Sequence, residues 1–219
     1  MKQISVRGTL GDAYTVGLKT IPFGEDIEIL HHTEHKHWYK SIREVYGWFK
    51  HIKSVTFLEF GFPEEKEMSG VPNSTMKWFP GKKDIKPFNA IQTLPEKYIA
   101  ISAHAGREDM MARRIPIEWL EKMIAIASPI PVMLLGTNLQ YSNIENCINV
   151  VGKTTVTEMA EIIIKSSGFC GPEGLPCFFA LSHKKESVIF YVRPQPVQAR
   201  LIQNPWQEYI IDLIHLGGS

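Results

Sequence analysis

Cysteine is scarce in this chain: three in 219 residues, Cys147, Cys170 and Cys177. All three lie in apolar contexts without metal-ligand spacing, which suits a reducing compartment and a cytoplasmic location. Excess charge of one sign is also missing. Twenty-four Lys and Arg against 23 Asp and Glu leave +1, so there is no global electrostatic case for nucleic acid. No apolar run is long enough to span a bilayer, so no transmembrane segment is expected. The opening Met1-Lys2-Gln3-Ile4-Ser5-Val6 lacks the apolar stretch of a signal peptide and reads as a strand. What remains is the composition of a soluble globular protein, 44% hydrophobic and 21% charged, long enough for one domain or two small ones.

Strand and helix patterns alternate, which argues for α/β layers. Gln3–Val6, Ile27–Leu30 and Val55–Phe60 read as strands, with a helix from His37 to His51 whose apolar stripe is Trp38, Ile42, Val45, Trp48 and Phe49. Residues 61–96 are rich in proline and glycine and read as a long connection. The expected division is an N-terminal lobe with its linker over 1–95 and a C-terminal lobe over 96–219. In the second half, strands are expected at Tyr98–Ser102, Val132–Leu135, Ile148–Val151, the run into Gly171, and Val188–Val192. Helices are expected at Pro116–Ala127, Val156–Lys165, Leu175–His183 and Pro205–Leu216, the last returning near the first lobe. Gly136, Gly152 and Gly171 stand at strand ends, where open α/β sheets bind ligands.

The most informative stretch is Gly171-Pro172-Glu173-Gly174, between a strand and a helix. Backbone N–H groups and the helix dipole at such a turn favour an anion, most often phosphate. Glu173 is better placed to accept bonds from sugar hydroxyls, which suggests a nucleotide-sugar site. The plainer alternative is a helix start in which Pro172 and Glu173 favour the first turn. A second site follows strand one, at Arg7-Gly8-Thr9-Leu10-Gly11-Asp12. Asp12 there is either a helix N-cap or a general base at the mouth of a cleft, and spacing alone does not choose.

A locally basic segment holds His31, His32, His35, His37, Lys36, Lys40, Arg43, Lys50, His51 and Lys53. Three readings are open: a zinc site, a solvated helix face, or a surface for an anionic polymer, nucleic acid included. Trp38 and Trp48 could stack on sugars or bases, and their spacing fits a core equally well.

The two sites together carry a resemblance. Arg7–Asp12 resembles the R-x-[ST]-x-G-D loop of the ADP-heptose:lipopolysaccharide heptosyltransferases, glycosyltransferase family nine. His104-Ala105-Gly106-Arg107 and Arg113-Arg114-Ile115-Pro116-Ile117-Glu118-Trp119 resemble that family's loop ending in K-x-W-P-x-x-x-W. Val132–Gly136 is similar to its central strand. Asn149–Glu158 is similar to its N-L-x-G-K-T-S-L-x-E, and Gly171–Gly174 falls at its D-[ST]-G-P turn.

The resemblance implies an α/β fold of two Rossmann-like lobes, GT-B, with a short N-terminal lobe, and an inverting, metal-independent glycosyltransferase. Asp12 would be the catalytic base. The donor, a nucleotide-diphosphate sugar acting as co-substrate with no further cofactor, would meet Thr9, Gly11, Arg107, Arg113, Lys153, Glu158, Gly171, Pro172, Glu173 and Gly174. Arg113 would bind phosphate bidentately, and Glu158 would read ribose or base hydroxyls. The absence of a D-x-D pattern fits a reaction without metal. The acceptor would be a hydroxyl of a glycan, a lipid-linked glycan or a nucleic acid. The sequence departs from the family at Pro176-Cys177, where a histidine is usual, and at Ile115, where a tryptophan is usual. These departures and the short first lobe leave a second reading, a GT-B-like domain that binds a nucleotide or partner without catalysis. Epimerisation or hydrolysis on the same fold is a third.

Overall fold

The computed structural model describes residues 1–33, 36–58, 93–105, 113–191 and 208–216. The chain divides into two compact units, Met1–Phe88 and Asn89–Ser219. Among the described residues, no helix is long and apolar enough to cross a membrane.

In the first unit, strands β1 (Lys2–Arg7), β2 (Ile27–His32) and β3 (Ile52–Leu58) form a parallel sheet in the order β1-β2-β3. Helix α1 (Leu10–Thr20) and helix α2 (Tyr39–Tyr46) supply the crossovers. The α2 helix is shorter than its apolar stripe suggests, because the chain turns at Gly47. Trp48 and Phe49 then pack inward on Tyr14, at ring distances of 6.0 and 5.7 Å. Gly17 makes room for Phe49: a Cβ there would lie 2.1 Å from its ring.

The second unit has strands β4 (Ile99–Ser102), β5 (Val132–Leu135), β6 (Ile148–Asn149), β7 (Gly168–Pro172), β8 (Ser187–Tyr191) and β9 (Ile210–His215). All neighbours are parallel, in the order β6-β5-β4-β7-β8-β9. Helices α3 (Ile117–Ala127), α4 (Val156–Lys165) and α5 (Leu175–Ser182) lie between strands. Strand β5 is buried along its whole length, as a central parallel strand must be. Ile101, Leu120, Ile124, Leu134 and Phe190 are among the residues of one core cluster. The order is that of a doubly wound dinucleotide-binding sheet, and the chain reverses direction across the sheet between β4 and β7.

The segment expected to be a final helix, Pro205–Leu216, holds β9 within its described residues, an edge strand beside β8. Its helical look comes from a bulge. Ser187 pairs with Ile210 and Val188 with Asp212, leaving Ile211 as the extra residue, 66% exposed. The bulge breaks the alternation that marks a strand and leaves apolar residues at helix-like spacing.

Candidate active site

At the carboxyl end of β1, Thr9 is the N-cap of α1 and Asp12 is its third residue. Asp12 Oδ2 accepts from the Thr9 main-chain N at 2.8 Å and from Thr9 Oγ1 at 3.1 Å. Asp12 is therefore not the N-cap itself; its carboxylate reaches back to the cap, the acidic arm of a capping box. Gly11 is buried in the first turn. Gly8 has φ +146, and a Cβ on it would stand 2.3 Å from Asp12 Oδ2, so only glycine fits there. Asp12 is half-buried, and among the described residues its Oδ1 takes no hydrogen bond.

Sequence reasoning missed what lies behind this loop. His31 is fully buried, with Nδ1 2.9 Å from the Tyr46 hydroxyl and Nε2 3.2 Å from the Gly8 carbonyl. Desolvation holds its pKa below the usual imidazole range, against the opposing pull of the Gly8 bond and the Asp12 charge. Burial, then the Asp12 charge, push the Tyr46 hydroxyl well up. The one available signal was a pair of histidines at the end of an apolar strand, His31-His32.

The basic segment is thus divided. His31 and His32 are buried strand residues, not part of a solvated helix face, and Trp48 belongs to the core. Lys36, His37, Lys40, Arg43, Lys50 and Lys53 are exposed. His35 lies outside the described residues. Among the described residues, no three metal-ligating side chains gather.

In the second unit, β7 runs on through Gly171 and Pro172, which pair with Ile189 and Phe190. These two are strand residues; the turn is Glu173–Gly174, and Gly174 is the N-cap of α5. The glycines serve close approach. A Cβ on Gly171 would lie 3.0 Å from Ser102 Cβ, and one on Gly174 would lie 2.6 Å from Ala105 Cβ. The carboxyl ends of β4 and β7 therefore press together at the switch point, where doubly wound sheets bind nucleotides.

Arg113 reaches this place by backbone pairing. The Ala105 N–H donates to the Arg113 carbonyl at 3.1 Å, and the Ile115 N–H to the Ala103 carbonyl at 3.0 Å. Arg113 Nη1 then lies 3.4 Å from the Glu173 carbonyl oxygen. The Glu173 side chain is only 4% exposed, and its charge helps raise the buried Cys177 thiol, for which desolvation is the larger cause. Burial likewise raises the half-buried Cys147 and pushes the buried Cys170 up to about 12. Arg107 lies outside the described residues.

Glu158 repeats in α4 what Asp12 does in α1. Its Oε2 accepts from the Thr155 main-chain N at 2.7 Å, and its own N–H donates to Thr155 Oγ1 at 3.2 Å. Lys153 Nζ donates to the Asn149 carbonyl at 3.2 Å. Among the described residues, no hydrogen bond ties Glu158 or Lys153 to Arg113 or the Glu173 turn. Gly136 and Gly152 do meet, N–H to carbonyl at 2.8 Å. Beside them His104 bonds Thr137 Oγ1 at 3.1 Å and stacks on Tyr141, a further rim residue.

No family model and no curated protein matches the sequence. Solved structures match its fold. An Escherichia coli ADP-heptose lipopolysaccharide heptosyltransferase II is 11% identical over 90% of this chain and 86% of that one, at a TM-score of 0.57. A family 9 glycosyltransferase from Veillonella parvula is 11% identical over 98% and 86%, at 0.56. The chain has the GT-B fold. The heptosyltransferase TibC, solved with ADP-D-beta-D-heptose, is 15% identical over 87% of this chain and 58% of that one, at 0.54. The resemblance first read from Arg7–Asp12 through Gly171–Gly174 is thus matched by a resemblance of the whole GT-B chain to heptosyltransferases.

Proposed function

We propose that this protein is an inverting glycosyltransferase that takes a sugar from a nucleotide-diphosphate sugar. The observation that carries the reading is the junction of Arg113 with the Glu173 turn at the switch point, on a fold shared with proteins solved with ADP or ADP-heptose. The guanidinium and the N-terminus of α5 offer positive charge to a leaving diphosphate, so the proposal assigns no metal ion. The acceptor hydroxyl oxygen attacks the anomeric carbon, and its proton passes to Asp12 Oδ1. The bond from that carbon to the diphosphate oxygen breaks, and the nucleoside diphosphate leaves with the electron pair. The site residues assigned to the donor are Arg113 and Glu173–Gly174, with Arg107, Lys153 and Glu158 as further candidates.

A second reading, binding without catalysis, draws on one observation: Asp12 Oδ2 is already committed to the start of α1. Thermal denaturation with ADP-, UDP-, GDP- and CMP-sugars tests the donor assignment. A sugar nucleotide at about 100 times its Kd should add about 2.7 kcal/mol of apparent stability. No stabilisation by any base rejects the transferase reading and the nucleotide-binding form of the second. Stabilisation without transfer to any hydroxyl acceptor leaves the second.

A further inference from the structure

The Gly8–Thr9 peptide group is bonded on both sides. Its carbonyl lies 3.2 Å from His31 Nε2, and its N–H lies 2.8 Å from Asp12 Oδ2. A carbonyl only accepts, so Nε2 carries the imidazole proton and Nδ1 accepts from the Tyr46 hydroxyl at 2.9 Å. The result is one directional chain: Tyr46 O–H to His31, His31 N–H to the Gly8 carbonyl, Thr9 N–H to the Asp12 carboxylate. Bonds arranged head to tail in a buried place polarise and strengthen one another. The chain is well supported. His31 and Tyr46 are fully buried, their rings meet edge to face at 5.6 Å, and Phe57 meets His31 on another side at 5.9 Å. The Gly8 N–H also bonds the His32 carbonyl at 3.3 Å, so β2 grips Gly8 at both of its polar groups.

We propose that His31 is a positioning residue for Asp12, acting through the Gly8–Thr9 peptide, with Tyr46 fixing its tautomer. The chain holds Oδ2 and so decides that Oδ1 is the oxygen presented outward. In its functional part the proposal rests on Asp12 being the base. In its structural part it does not.

The test uses the full chain and three variants: His31→Phe, His31→Gln and Asp12→Asn. Amide hydrogen exchange at Thr9 is measured against Ile29, an interior residue of β2, so that general loosening cancels. His31→Phe removes the bond to the Gly8 carbonyl and leaves the Thr9 N–H bonded to Asp12, so the Thr9 amide should exchange a few-fold faster relative to Ile29, short of the roughly tenfold that a whole lost hydrogen bond would give. His31→Gln carries an amide N–H to the place of Nε2 and should restore the parent ratio. Where transfer is measured, His31→Phe should lower kcat about tenfold with donor KM unchanged, and Gln should recover it. An unchanged Thr9-to-Ile29 ratio in His31→Phe, or no rescue by Gln, overturns the proposal. Full transfer by Asp12→Asn overturns the base assignment instead, with the exchange result still judging the His31 chain.

Discussion

Arg113 and Glu173 meet through the backbone: the guanidinium Nη1 lies 3.4 Å from the Glu173 carbonyl oxygen. One element that follows β4 is thereby tied to the turn that follows β7, across the point where the sheet reverses. The contact uses one N–H of five, which leaves the fork's other donors for a ligand.

Arg113→Ala should weaken binding of a nucleoside diphosphate by about 1.5–3 kcal/mol, the range for a hydrogen bond to a charged group. The bare nucleoside should be affected much less. Titration calorimetry with the base found by thermal shift measures both, and equal losses for the two ligands remove Arg113 from the phosphate site.

Asp12→Asn keeps an oxygen for the Thr9 N–H, so folding and donor affinity should stay close to those of the parent. Sugar transfer should fall about 10²–10⁴-fold, the usual worth of a general base. Asp12→Ala loses the capping arm as well and should cost about 1 kcal/mol of stability. An Asn variant that transfers sugar within a few-fold of the parent shows Asp12 to be a capping residue alone.

Gly174→Ala would drive a methyl to within 2.6 Å of Ala105 Cβ. Neither atom has a rotamer to escape through, so the α5 start and the β4 loop must part. Overpacking of this kind costs about 1–3 kcal/mol, read from denaturant unfolding, and donor affinity should fall with it. Ala105→Gly combined with Gly174→Ala should recover most of both losses. Additive losses in the double variant would place the strain elsewhere.

His183 gives the second unit an acid-sensitive element. Its Nδ1–H donates to the Phe179 carbonyl at 3.0 Å, and desolvation lowers its pKa to about 4 from the usual 6.5. The unfolded imidazole takes a proton near pH 6.5 and the folded one resists to about pH 4. The contribution is therefore complete above 6.5 and disappears as the pH falls toward 4, about 3 kcal/mol across that window. Unfolding at a series of pH values measures this slope. His183→Asn, which keeps a side-chain amide near Phe179 and does not titrate, should flatten it.

The elements that sequence made legible are those with strong local signals. The helix read over Val156–Lys165 is α4 as observed, and its start is closed locally: Thr155 and Glu158, three apart, form a capping box. The apolar run Val132–Leu135 announces a central parallel strand, and the glycines at 136, 152 and 171 mark the rim. The order of motifs along the chain was enough to suggest the GT-B fold. Three features were not legible. The bulge at Ile211 exists only because β9 pairs with β8, and it disguised a strand as a helix. Gly171 and Gly174 were readable as turn glycines, but not their close approach to Ser102 and Ala105, some 70 residues away in sequence. His31 looked like one more basic residue until β2 was laid beside β1, placing its ring between Tyr46 and the Gly8 carbonyl. Sequence by itself determined the alternation of strands and helices that sets the fold class, since periodicity and chain-breaking residues act locally. Tertiary structure alone decided which polar groups share a hydrogen bond, because that depends on strands whose neighbours are chosen by the burial of the whole sheet.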